Sequence, residues 1–268
     1  MPNSVPHRLL SRSDIPTARR IVVKVGSSSI SGANEGQIEP LVDALVAAYQ
    51  RGAEVILVSS GAIATGMPYL KLQQRPTDLA TQQAAAAVGQ NILISRYQAS
   101  LTRYGVVAAQ VLLTAHDLEN ATPRGNARRA IDRLLELRIL PIVNENDTVA
   151  THEIRFGDND RLAAMVCQLV EADLLILLSD VDALYSLPPS EPGAEAITYV
   201  AFDDDLARVQ FGDVVSTGVG TGGASTKVAA AKLAAASGTA VLLASTVDVA
   251  AALSGAEIGT WFDCAPTS

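Results

Sequence analysis

Cysteine is nearly absent: Cys167 and Cys264 are the two in 268 residues, and no CxxC occurs, so no disulfide framework can hold this chain. A reducing, cytoplasmic compartment suits it. Histidine is as sparse. His7, His116 and His152 sit in no triad-like context, and GxSxG is missing, which removes a nucleophile-elbow hydrolase. No run of 18 apolar residues exists, so no membrane span is expected. Positive charge is also short, with 20 Lys+Arg against 28 Asp+Glu and a net charge of −8. A duplex nucleic-acid binder needs a basic face, so that class is excluded. Any phosphate-bearing ligand must be met by a few local cations and backbone N–H groups. The first twenty residues hold Arg8, Arg12, Arg19 and Arg20 with several Ser and Pro but no apolar h-region, so a secretory leader is not expected. Residues 1–19 are expected to be a disordered tail before a single domain over 20–268.

What is present is a globular composition, 49% hydrophobic and 18% charged, and an alternation of strand-like and helix-like segments. Residues 20–25 read as a first strand. Ile38, Leu41, Val42, Leu45, Val46 and Tyr49 repeat on one helical face, with Gly52 placed to end the helix. Residues 54–59 read as a strand buried on both faces. Helix is expected over 78–103, strand over 106–111, helix over 126–136, strand over 139–143, helix over 161–170, strand over 174–178, helix over 224–236 and strand over 240–243. Residues 187–194, with three prolines, read as a loop. The rhythm predicts an α/β fold, a three-layer αβα sandwich with an open, mainly parallel sheet.

Ligands of such sheets gather at the carboxyl ends of strands. Lys24-Val-Gly-Ser-Ser28 offers a point charge and a nest of N–H groups, or merely a tight turn with a lysine. Ser59-Ser-Gly-Ala62 is either an anion site or an ordinary N-cap. Asn144-Glu-Asn-Asp147, with Gly157-Asp-Asn-Asp160 downstream, could bind an ammonium group and order neighbouring cations. Metal ligation is the rival reading, although the spacing is not an EF-hand. Gly218–Lys227 opens a helix with glycines and ends in lysine, which favours phosphate over a plain hinge. Its formal GxGxxG has no clear strand before it and no acidic residue about twenty positions on, so a dinucleotide oxidoreductase reading is weak. Ser179-Asp180 after an apolar strand suits a nucleoside or a structural turn.

Together the phrases VVKVGSS, VSSGAIATG, AAVGQ, PIVNENDTVA, FGDNDRLAA, LLSDVDALY and GTGGASTK resemble the amino-acid kinase superfamily, and within it the glutamate 5-kinases. The resemblance runs from about Arg20 to Asp263. It implies ATP-dependent phosphorylation of the γ-carboxylate of L-glutamate, the first step toward proline, with Lys24 and Lys227 flanking the transferring phosphoryl group and Asp160 ordering them. It implies substrate contacts at Ser60, Asp147 and Asn159, with Gly61 and Asn144 adjacent. Lys24, Ser179, Asp180, Thr221, Gly222, Gly223, Ala224, Ser225, Thr226 and Lys227 match the nucleotide site. Mg²⁺ is implied as bound mainly through the ATP phosphates rather than by protein ligands. Proline is implied as a feedback inhibitor, and a homo-oligomer, dimer or tetramer, is expected. Three departures stand out: Ser179 where Thr is common, the long N-terminal stretch, and no match to the C-terminal PUA domain of many bacterial members. A silent sensor on the same fold and a sibling kinase for another acceptor are the rivals.

Overall fold

The computed structural model describes residues 8–149, 159–211 and 223–265. The first strand, β1 (Arg20–Val25), leads through a six-residue 3₁₀ segment (Gly32–Gln37) into α1 (Ile38–Gln50), whose apolar face is buried as the periodicity requires. Gly52, at φ +99°, turns the chain into β2 (Glu54–Ser59). Two helices follow, the short α2 (Ala62–Gly66) and the long α3 (Leu79–Thr102), where Asp78 caps the first turn by accepting from the Thr81 N–H at 2.8 Å. Then come β3 (Ala108–Leu113), α4 (Ala115–Glu119), α5 (Ala121–Glu136) and β4 (Leu140–Glu145). The rest comprises α6 (Asn159–Val170), β5 (Leu174–Ser179), the two-residue strands β6 (Leu184–Tyr185), β7 (Ala196–Ile197) and β8 (Tyr199–Val200), α7 (Ala224–Ala236), β9 (Ala240–Ser245), α8 (Val249–Leu253) and β10 (Thr260–Phe262).

Among the described residues, eight strands form one sheet in the order β3-β4-β2-β1-β5-β9-β10-β8, and β6 pairs with β7 apart from it. All pairings from β3 to β9 are parallel, and β10 runs antiparallel to β9. The α/β class and mainly parallel sheet expected from the sequence are found. The chain steps from β1 to β2 on one side while β5 lies on the other, so β1 is the point where strand order reverses and a crevice opens. The carboxyl ends of β1, β2, β4, β5 and β9 all meet there.

Strand alternation sorts the side chains into two cores. Ile21, Val23 and Val25 join α1, α3 and α8 on one face, while Val22 joins α5, α6 and α7 on the other. By that period Lys24 lies on the α6/α7 face, and Ser59 and Asn144 lie on the α3 face.

Several boundaries differ from the sequence reading. β3 sits two residues later than expected; it is an edge strand with half-exposed side chains, so burial imposes no pattern on it. α5 begins five residues earlier, because Pro123 falls in the first turn, where its missing N–H has no intrahelical partner to lose. β4 runs through Glu145, placing Asn144 and Glu145 in the strand rather than after it. α6 starts at Asn159. The expected tail is corrected for residues 8–19: Leu9 and Ile15 are fully buried, and a 3₁₀ turn spans Arg12–Thr17. The Arg12 guanidinium donates to the carbonyls of Ile258 (2.8 Å), Gly259 (2.9 Å) and Thr198. Its charge and polar neighbours read as solvated, but it satisfies backbone groups of the β10 region instead.

Helices α2 and α3 touch backbone to backbone. A Cβ on Gly66 would lie 1.9 Å from the Ala85 carbonyl oxygen, and one on Gly89 would lie 1.8 Å from that of Ala62. Gly89→Ala must therefore force the helices apart, and overpacking of this kind costs about 2–3 kcal/mol. Urea denaturation tests this; an unchanged midpoint would show that the two helices separate without loss.

Candidate active site

Three charged side chains converge at the switch point. Asp160, in the first turn of α6 and fully buried, forms ion pairs with Lys24 from the end of β1 and with Lys227 from the first turns of α7. The Lys227 Nζ lies 3.0 Å from Asp160 Oδ2, and Lys24 reaches Oδ1. Lys24 is 2% exposed and Lys227 8%. An acid in the first turn of a helix is favoured by the helix dipole. Charges buried this deeply persist only when paired, because their desolvation is costly. Each carboxylate oxygen of Asp160 is thus paired with one lysine ammonium.

The α7 N-terminus faces this triad. Gly223 is its extended N-cap, Ala224 and Ser225 are exposed, and Thr226 donates through Oγ1 to the Gly223 carbonyl at 2.9 Å. Lys227 donates its N–H to the same carbonyl, and the N–H groups of Ala224 and Ser225 before it are first-turn donors suited to an anion. Thr221, Gly222, Gly157 and Asp158 lie outside the described residues. On the β1 side, a Cβ added to Gly26 would sit 3.9 Å from the Lys24 Nζ.

On the other side of β1, a chain of amides orders the ends of β2 and β4. Gln110 donates to Gln90 Oε1 at 3.3 Å, and Asn144 Nδ2 donates to the same oxygen at 3.1 Å. Asn144 Oδ1 in turn accepts from Asn159 Nδ2 at 2.6 Å and from the Glu145 N–H at 2.9 Å. Asn159 Nδ2 also reaches the Ser59 carbonyl at 2.6 Å. These donors fix which end of each amide points where. Asn144, 3% exposed, is thereby tied inside the protein and orients Asn159. Ser60 and Gly61 are half-buried at the end of β2. Gly61, at φ +95°, is the N-cap of α2, and a Cβ there would lie 3.4 Å from Ser27. The loops after β1 and β2 thus abut, and Asp147 is half-buried in the turn after β4.

On the opposite flank, Ser179 ends β5 and is buried, while Asp180 beside it is exposed. Asp180 Oδ1 accepts from Ser29 Oγ at 2.8 Å, and Thr246 Oγ1 lies 2.9 Å from Ser29 Oγ.

The sequence reading missed Gln90, Ser29 and Glu145 as individual residues. Gln90 was inside a quoted phrase, yet nothing in a single sequence says that a helix glutamine will meet a strand asparagine 54 positions away. Glu145 is 6% exposed, and its Oε1 has no hydrogen-bond partner. Burial first, and the negative charge of Asp147 second, push its pKa from 4.5 up to about 8. Between those values the folded chain keeps a proton that the unfolded chain releases, so this group's contribution to stability falls as pH rises through the window and levels off above about 8. Glu145→Gln stays neutral throughout. Its urea midpoint should therefore drop less than that of the native chain between pH 5.5 and 7.5; parallel curves would count against a neutral buried Glu145.

The chain matches the description "Amino acid kinase family" over residues 19–245. It is 72% identical over 252 residues to the glutamate 5-kinase of Clavibacter sepedonicus, a match covering 94% of this chain and 97% of that one. With the glutamate 5-kinase of Streptomyces coelicolor it shares 56% identity over 256 residues, covering 94% of this chain and 68% of the relative. Among solved structures, carbamate kinase from Giardia lamblia bound to AMP-PNP aligns with a TM-score of 0.65 at 15% identity, covering 93% of this chain and 100% of that one; this likeness bears on the fold alone. Identity of this order over nearly the whole length places the chain in the amino acid kinase family and, within it, among the glutamate 5-kinases.

Proposed function

We propose that this chain transfers the γ-phosphoryl group of ATP to the γ-carboxylate of L-glutamate, giving γ-glutamyl phosphate and ADP, the entry step of proline biosynthesis. The observation that carries this reading is the pair of lysine ammoniums gathered on buried Asp160 at the carboxyl end of the central strand, beside a helix N-terminus. Phosphoryl transfer spreads charge over the equatorial oxygens, so positioning and cations supply most of the catalysis. One P–O bond forms from a glutamate carboxylate oxygen as the bond to the ADP oxygen breaks. The nucleophile is already ionised, and the reaction asks for no general base.

In this reading Lys24 and Lys227 stabilise the transferring group, and Asp160 keeps their spacing. The N–H groups opening α7 hold the nucleotide phosphates, with Ser179 and Asp180 on the nucleoside side. Mg²⁺ enters with ATP as part of that substrate. Ser60, Gly61, Asp147 and Asn159 receive glutamate, with Asn144 holding Asn159 in place. The carboxylate of Asp147 suits the substrate ammonium.

Lys24→Ala and Lys227→Ala should each lower kcat on the order of 10²–10³-fold with little change in the KM for glutamate, because the charge they meet develops during transfer. The measurement is ADP release with L-glutamate, N-acetylglutamate, aspartate and no acceptor. Turnover confined to another acceptor would overturn the substrate assignment, and a rise in KM with kcat intact would make the lysines binding groups only.

Proline carries the α-carboxylate and charged nitrogen of glutamate but no γ-carboxylate, so a site built on Asp147 and Asn159 would hold it without turnover. Inhibition by proline should be competitive with glutamate. A glutamate titration at several fixed proline concentrations checks this: inhibition that saturating glutamate fails to relieve points to a separate site.

A further inference from the structure

The loops after β1, β5 and β9 are joined by a chain of hydroxyls that the proposed chemistry does not use. Ser29, 4% exposed, lies within 2.8 Å of Asp180 Oδ1 and 2.9 Å of Thr246 Oγ1. Thr246, 6% exposed, also lies 3.2 Å from the Ser179 carbonyl. The direction of the chain follows from its end. An ionised carboxylate only accepts, so the single hydrogen of Ser29 goes to Asp180. The Ser29 oxygen then accepts from Thr246, whose one hydrogen is shared with the Ser179 carbonyl.

A charge-assisted hydrogen bond from a buried donor is among the stronger local restraints on an exposed carboxylate. It fixes one oxygen of Asp180 and leaves Oδ2 of this exposed residue as the second acceptor, just beyond the carboxyl end of β5. The buried hydroxyl of Thr239, by contrast, ends on the backbone carbonyl of Ala172. This chain ends instead on a side chain at the crevice, and it reaches there from the loop that follows Lys24.

We propose that Ser29, oriented by Thr246, is a positioning residue that sets nucleotide affinity by aiming Asp180 at a donor group on the nucleoside half of ATP. The inference rests on the reading of Asp180 as a nucleotide-side residue. It assigns Ser29 no contact with either substrate.

The test uses the full chain, with ADP binding followed by calorimetry and KM for both substrates measured alongside. Ser29→Ala should weaken ADP binding and raise the KM for ATP by about tenfold, the equivalent of one hydrogen bond to a charged group, while the KM for glutamate stays within about twofold. Asp180→Asn should weaken ADP binding at least as much. In the Asp180→Asn background Ser29→Ala should add nothing, since its effect passes through that carboxylate. If Asp180→Asn leaves ADP affinity unchanged, the nucleotide-side reading itself fails and the inference with it. If Asp180→Asn weakens binding but Ser29→Ala does not, or if Ser29→Ala costs as much in the Asp180→Asn background, the inference alone fails. Thr246→Val keeps the shape and removes the donor, and covers the case in which Ser29→Ala does not fold. It should shift ADP affinity in the same direction, and no shift overturns the proposal.

Discussion

The buried carboxylate of Asp160 is the constraint on which the rest of the site depends. Two ammonium groups brought together inside a protein repel each other and lose their hydration, and only an interposed anion makes the arrangement stable. That anion must be held rigidly as well. Its place in the first turn of α6 supplies this, since the helix backbone fixes it and the dipole favours its charge. The neighbouring residue, Asn159, uses the same helix start to reach β2 and β4. One helix N-terminus therefore sets both the cationic centre and the amide-lined flank, and these cannot move independently.

The two faces of the sheet divide the work. On the α6/α7 face the lysines and Asp160 gather charge. On the α3 face a run of neutral amides from Gln110 through Gln90 to Asn144 carries orientation without charge. A neutral network of this kind is stable inside a core because every member has partners, and it specifies geometry through the direction of each donor. The glycine contact between α2 and α3 belongs to the same arrangement. By removing side chains from the contact it seats α3 directly against α2, the helix that Gly61 opens at the end of β2. Gly89 and Gln90 are adjacent, so one turn of α3 supplies both the close approach and the amide.

The remaining elements secure the rims. The N-terminal segment packs against the β10 region through Arg12, whose guanidinium donates to the carbonyls of Ile258 and Gly259 just before that strand. Among the described residues no helix is long and apolar enough to cross a membrane.

The sequence by itself determined the parallel α/β architecture, because apolar strands alternating with amphipathic helices have few other ways to bury both faces of a sheet. It also marked out the stretches that carry glycines, small hydroxyls and lysine at the ends of strands, since these are local signals. Lys24, Asp160 and Lys227 were legible as three residues in three motifs. The tertiary structure decided that they touch, because ion pairs between positions 136 and 67 residues apart leave no trace in local spacing. It also decided the extension of β4 through Glu145, where ladder pairing with β3 outweighs polar composition, and the order of residues 8–19, where burial of Leu9 and Ile15 outweighs charge. The short strands β6, β7, β8 and β10 were illegible for a related reason. Two or three residues carry no period, so only their pairing, β6 with β7 and β10 with β8 and β9, defines them as strands.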